Sequence, residues 1–241
     1  MIKSVIALIG FVFFTTFWGL VGLFLTLISN NRYVIKYAVR PWGKTSLWSA
    51  GIKLDVKGLE NIPPGPCIIM YNHQSSYDIL AFSAALPIEW KAMMKKEVLN
   101  MPFVGWVSKL SGHYFVARDG SSEDMQKVKE IVKNIKEGPS VLVAPEGTRS
   151  EDGKLLPFKK GGFLISLLAG VPVVPMIIWG GKDIKTKKSG LRINTDKPIK
   201  IRIMPPIDVK SLPRGKKGRE QLEHMVRDQM ENEIVNILNE V

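Results

Sequence analysis

Residues 72–78 read Asn72-His73-Gln74-Ser75-Ser76-Tyr77-Asp78, and the pair His73 and Asp78 can be folded into a base with its own orienting carboxylate. Imidazole accepts a proton at neutral pH, while a carboxylate on Nδ1 fixes the tautomer and stabilises the imidazolium. In a regular α-helix this spacing sets the two side chains on different faces, so the pair requires a turn between them. A strand-like run at residues 67–71 delivers the block into such a turn, and Asp78 then stands near the start of an apolar helix over residues 79–85. A carboxylate suits that N-terminal dipole. On these residues alone, His73 as a turn residue and Asp78 as a helix cap remain an alternative.

A second block follows the same logic. Residues 141–144 read as a buried strand running straight into Pro145-Glu146-Gly147-Thr148-Arg149-Ser150. Loops fed by strand ends are where ligands bind in α/β sheets. Between the two blocks lies Gly112-His113-Tyr114-Phe115-Val116-Ala117-Arg118, a short strand ending in an arginine. Later comes Val171-Pro172-Val173-Val174-Pro175, an apolar strand punctuated by prolines.

In order and spacing these four blocks resemble those of the glycerolipid acyltransferases, most closely the bacterial 1-acyl-glycerol-3-phosphate acyltransferases. The resemblance covers residues 54–206, with Ala144 and Val116 standing where the family usually has Phe and Ile. It implies that His73 is the general base and Asp78 its orienting carboxylate. It implies further that Glu146 and Gly147 hold the glycerol part of the acceptor. Arg118 and Arg149 would bind the acceptor phosphate, for which guanidinium offers bidentate hydrogen bonds. Lys95 falls where the family has a lysine pointing into the same pocket. A solvated strand-end charge is the alternative for Lys95, and a salt bridge with Glu146 or Glu151 for Arg149.

The implied reaction is proton removal from the free hydroxyl of a lysophospholipid, attack on an acyl thioester and departure of the thiolate. Lysophosphatidic acid is the expected acceptor and acyl-CoA or acyl carrier protein the donor, with no other cofactor and no metal. A covalent route lacks its residues: there is no Gly-x-Ser-x-Gly elbow, Ser75 and Ser76 read as local caps, and the lone Cys67 reads as a core residue. His113 and His224 read as structural and surface residues.

The N-terminus suits a lipid substrate. Residues 5–28 carry no charge, and a helix of that length reaches about 36 Å, enough for a bilayer core of ~30 Å. The run is too long for a signal peptide and no small-x-small cleavage site follows it. Behind it, Arg32, Lys36, Arg40 and Lys44 form a basic stripe interleaved with Tyr33, Val34, Ile35, Tyr37, Trp42, Leu47 and Trp48, as expected at headgroup level. Pro41 and Gly43 are expected to break or kink this second helix. Related acyltransferases use two such helices as a re-entrant or monotopic anchor, so spanning and monotopic arrangements both stay open. The expected location is a cell inner membrane with the catalytic domain facing the cytoplasm.

The chain has 241 residues, a net charge of +12 and one cysteine. Residues 1–50 read as the anchor and 51–241 as one catalytic domain, long enough for a sizeable core. A single cysteine excludes an intramolecular disulfide. Basic clusters at Lys182, Lys185, Lys187 and Lys188, at Lys197, Lys200 and Arg202, and at Arg214, Lys216, Lys217 and Arg219 read as solvated charges or as sites for anionic lipids and acidic donors. Nucleic acid is not an expected partner, since no recognisable module is present.

Strands are expected at residues 51–59, 67–71, 90–94, 113–116, 141–144, 173–179 and 199–203, and helices at 122–136, 163–169 and 221–238, the last packing Leu222, Met225, Val226, Ile234 and Leu238 inward. This alternation gives an α/β domain with a mixed, mostly parallel sheet flanked by helices, behind the hydrophobic membrane-anchoring segment. An apolar groove for the acyl chain is expected near Phe82, Met101, Phe103, Val104 and Trp106. A non-catalytic membrane scaffold, or an enzyme for another lyso-acceptor, remains the alternative function.

Overall fold

The computed structural model describes residues 2–29, 31–136, 138–184, 193–194 and 198–240. Helix α1 (Ile2–Ile28) is followed by α2 (Asn31–Val34), a π-helical segment at Ile35–Val39 and α3 (Arg40–Ser49). The chain then alternates: β1 (Leu54–Lys57), β2 (Ile68–Tyr71), α4 (Tyr77–Ala85), β3 (Trp90–Lys95), α5 (Val104–Leu110), β4 (Tyr114–Val116), α6 (Ser122–Ile135) and β5 (Ser140–Val143). It closes with α7 (Gly161–Ala169), β6 (Val173–Trp179), α8 (Gly181–Ile184), β7 (Ile199–Ile203) and α9 (Lys216–Asn239).

The strands form one sheet in the order β1-β7-β6-β2-β5-β3-β4, parallel throughout except for the antiparallel pair β6 and β7. This is the mixed, mostly parallel sheet the alternation predicts. Both faces are covered, which is why the central strands read as unbroken apolar runs. Ile69, Tyr71 and Leu142 join a core with residues of α1, α3 and α4, while Ile68, Met70, Val141 and Val143 join a second core with α6, α7 and α9.

Where expected and observed elements differ, the reason is local geometry. β1 is shorter than the run at 51–59 because Gly58 takes a left-handed φ of 86°, and its backbone sits so close to Ile203 that a side chain there would overlap the carbonyl. Pro41 does not break its helix. It occupies the first turn of α3, where the missing N–H costs nothing, and the change of register is taken up by the π segment before it. Gly43 serves close approach: an added Cβ would lie 2.6 Å from Leu80 O, in α4. On α9 the inward residues are Leu222, Val226, Met230 and Ile237, whereas Met225 and Leu238 are exposed.

Of the basic residues singled out, Lys185, Lys187, Lys188 and Lys197 lie outside the described residues. Arg202 is no surface cation: its side chain is 4% exposed and is paired with Asp55 at 2.7 Å and Glu240 at 2.9 Å. Lys57 and Lys200 also hold Glu240. Hydrogen bonds from Lys200, Lys57 and Arg202 pull the Glu240 carboxyl down to about 2, so the end of α9 stays clamped to β1 and β7. A buried guanidinium is tolerable only with such partners.

Candidate active site

Strands β2 and β5 are parallel neighbours, yet α4, which follows β2, packs on one face of the sheet and α7, which follows β5, on the other. The crevice between their C-terminal loops is therefore a topological switch point, where open α/β sheets bind ligands. Residues 72–78 leave β2 on one side of it and residues 144–150 leave β5 on the other.

Asn72 extends the ladder past the last β2–β6 pair: its Oδ1 accepts from the Ile178 N–H at 2.7 Å and its Nδ2 donates to Ile178 O at 3.1 Å. From that fixed point the chain turns into α4, whose first turn carries Asp78, fully buried. Asp78 Oδ2 accepts from the backbone N–H of Gln74 at 2.7 Å and of Ser75 at 2.9 Å, and lies 2.8 Å from His73 Nδ1. An ionised carboxylate only accepts, so Nδ1 carries the proton and Nε2 presents its lone pair. The imidazole is 19% exposed. Asp78 Oδ1 is buried and has no hydrogen-bond partner among the described residues. Against it lies Gly181, just after β6, where an added Cβ would come within 2.6 Å of Oδ1.

Glu146 ties the two loops together. Its Oε1 accepts from the His73 N–H and its Oε2 from the Leu156 N–H, each at 3.1 Å, and the Ser150 N–H donates to His73 O at 2.8 Å. Burial raises the Glu146 carboxyl, opposed by those two N–H groups. The carboxylate expected to hold glycerol is thus engaged in bracing the backbone of the histidine. Gly147, at a φ of 70°, offers its carbonyl to Arg118 Nη1 at 2.5 Å. Lys159 Nζ in turn donates to Arg118 O at 2.8 Å. Arg149 is half-buried beside Ser150, and among the described residues its guanidinium has no hydrogen-bond or ion-pair partner. Lys95 ends β3 in register with Val116 of β4. Its side chain is 53% exposed and paired with Glu97 at 2.7 Å, because the turn after β3 places that carboxylate beside it.

His113 Nδ1 accepts from the Ala92 N–H at 2.9 Å, and burial pushes its imidazole down to about 3, so it stays neutral. Cys67 is buried against Ser140, and burial pushes its thiol up to about 11. Neither is suited to nucleophilic or acid–base work at neutral pH.

Cavities lie on both faces of the sheet. A narrow one of about 60 Å³ lies between α1, α3, α4 and α5, lined by Ile79, Ser83, Met94, Phe103, Val104 and Val107 among others. Phe103 and Val104 thus lie where the groove was expected, but Phe82 belongs to the core between Tyr71 and Trp90, and Met101 and Trp106 are exposed. A larger cavity of about 500 Å³ lies on the other face of the sheet, between α6 and α7.

The family model described as Acyltransferase matches residues 53–179, the stretch that contains His73, Asp78, Glu146 and Arg149. This chain belongs to the acyltransferase family. It is 33% identical to a 1-acyl-sn-glycerol-3-phosphate acyltransferase of Saccharomyces cerevisiae over 89% of this chain and 71% of that one. It is 35% identical to a chloroplastic protein of the same description from Brassica napus over 73% of this chain, spanning only 52% of that relative. The crystal structure of the 1-acyl-sn-glycerophosphate acyltransferase PlsC from Thermotoga maritima superposes with a TM-score of 0.76 at 29% identity, covering 96% of this chain and 97% of that one. In this acyltransferase, Asn72 and Gly181 are the site residues that sequence reasoning passed over. Asn72 was visible as part of its block, and Gly181 as a glycine doublet after a strand, but neither signal names its distant partner.

Proposed function

We propose that the chain transfers a fatty acyl group from a thioester, acyl-CoA or acyl carrier protein, to the sn-2 hydroxyl of 1-acyl-glycerol-3-phosphate, forming phosphatidic acid. The observation that carries this reading is the hydrogen bond between Asp78 and His73 Nδ1, which leaves the Nε2 lone pair available as a base. His73 Nε2 takes the hydroxyl proton as the oxygen attacks the thioester carbon; the C–O bond forms, the C–S bond breaks and the imidazolium returns the proton to the thiolate. Asp78 stabilises the imidazolium. Arg118 and Arg149, the latter without a partner among the described residues, attract the phosphate. No cofactor is required beyond the thioester. Purified protein given 1-oleoyl-glycerol-3-phosphate with palmitoyl-CoA, or with palmitoyl carrier protein, is expected to release thiol and form phosphatidic acid in equal amounts. Thioester hydrolysis without an acylated product, or no turnover with either donor, would overturn the assignment.

The chain acts at a membrane surface in this reading, with α1 to α3 as anchor and residues from 51 onward as catalytic domain. Helix α1 is long and apolar enough to cross a bilayer, but contacts with the rest of the protein run along it. Ser4 accepts from the Ile193 N–H, Trp18 donates to Thr45 and Trp42 to Thr15. Gly19 and Gly22 let the backbone approach Phe103 and Val107. From Ser4 to Gly22 the axis runs about 27 Å, so a spanning α1 would drag the domain into hydrocarbon. Its outward residues, such as Phe13, Phe17 and Phe24, continue into exposed Trp48, Trp106 and Leu110, an apolar face suited to lying within one leaflet. Single cysteines introduced at Lys3 and Ser29, in a Cys67→Ser background, are both expected to react with an impermeant maleimide from the same side of sealed vesicles. Labelling from opposite sides would show a span.

A further inference from the structure

Transfer to a 1-acyl acceptor brings two acyl chains to one histidine, and cavities lie on both faces of the sheet that carries it. Charge distinguishes them. The narrow cavity has no charged residue in its lining, and its His113 is neutral. The larger cavity carries Arg118, Lys159 and Lys160. Its one carboxylate, Asp124, accepts from the Ala117 and Gly120 N–H groups, which shapes the loop beside Arg118. Below these cations the walls are apolar, with Met125, Val128, Phe158 and Leu164, and its volume lies in the range of about 300–1,000 Å³ usual for small-molecule sites. Ala144, Pro145 and Gly147 also line it, and Glu146 between them bonds to the His73 N–H, so the loop at one end of this cavity is tied to the backbone of the histidine.

The two substrates differ in where their charge sits. In the acceptor, the phosphate and the first acyl ester share one glycerol, so a charge lies a few atoms from the chain. In the donor, the chain ends in an uncharged thioester, with the first phosphate at the far end of the pantetheine arm. We propose that the larger cavity holds the acyl chain of the acceptor, a single-chain phosphate monoester, with its phosphate at the rim formed by Arg118, Lys159 and Lys160. This inference rests on the acyltransfer reading above and adds a place for the acceptor's chain.

The test fills the cavity and reads both substrates. Leu164→Trp narrows it from the α7 wall; Gly161→Phe does so from a position where an added Cβ meets nothing within 4 Å, which covers the chance that the first variant fails to fold. Each is expected to raise KM for 1-oleoyl-glycerol-3-phosphate about tenfold with kcat retained, the signature of lost binding energy. The KM for 1-hexanoyl-glycerol-3-phosphate and the preference between octanoyl- and palmitoyl-CoA should stay put. Lys160→Glu should raise KM for both acceptors alike. A shift in donor KM or donor chain preference would hand the cavity to the donor, and unchanged KM values throughout would remove it from substrate binding. Equilibrium binding of 1-oleoyl-glycerol-3-phosphate to the His73→Ala protein, with and without Leu164→Trp, separates this inference from the reaction. Saturable binding lost on filling the cavity supports it even if the parent shows no turnover, and binding that persists overturns it.

Discussion

Replacing His73 by alanine is expected to lower kcat by about 10³-fold, within the roughly 10²–10⁴-fold range that a positioned acid–base group supplies. The structure makes this a clean experiment. Beside the Nδ1 bond to Asp78, residue 73 is held by its backbone: its N–H donates to Glu146 and its carbonyl accepts from Ser150. Both survive the substitution, and Asp78 keeps its bonds from Gln74 and Ser75. The loops should therefore stay joined and the melting temperature should change little. KM values for donor and acceptor measured beside kcat complete the test, since a pure loss of base leaves them near the parent values. Activity retained within tenfold would remove His73 from the chemistry and leave its block a structural turn.

Gly181→Ala is expected to lower kcat by about 10²-fold without touching a reactant, because misplacing a catalytic group by ~1 Å costs on that order. The added Cβ would lie 2.6 Å from Asp78 Oδ1 and 3.0 Å from Ser75 Cβ, closer than packed atoms tolerate. Asp78 cannot rotate away freely, since Oδ2 is engaged by two backbone N–H groups and by His73. Any shift of the carboxylate therefore moves the imidazole or breaks its hydrogen bond. Gly65→Ala provides the control, for its Cβ would enter open space and should leave the rate unchanged. A Gly181→Ala protein with kcat within twofold of the parent would show that the loop after β6 yields instead, and that Gly181 does not position the pair.

Much of the architecture was legible in the residues because it is local. A sheet buried on both faces writes its strands as apolar runs, which is why 173–179 and 199–203 were read with their observed limits. The His73–Asp78 pair was legible for the same reason, since a single turn separates its members. Helix faces were read less well. Period alone placed Met225 and Leu238 inward, but α9 buries Met230 and Ile237, because what covers a helix is set by the elements packed on it.

What only the tertiary structure decided are pairings between residues far apart in the chain. Neither the spacing of Glu146 nor that of Asn72 reveals that one braces the His73 backbone and the other completes the β6 ladder. Arg202 was read among basic residues that are solvated or meet anionic lipids, yet it is a buried centre for Asp55 and Glu240. Lys95, given by the resemblance to the phosphate pocket or by its place at a strand end to solvent, pairs with Glu97. Hydrophobic length likewise marked α1 as able to span a bilayer, while its contacts with Thr45, Phe103 and Val107 set it along the domain. Composition and period fix what a segment is able to do, because they act over a few neighbouring residues. Which strand becomes whose neighbour, and so which side chains meet, is set by long-range packing that no local pattern encodes.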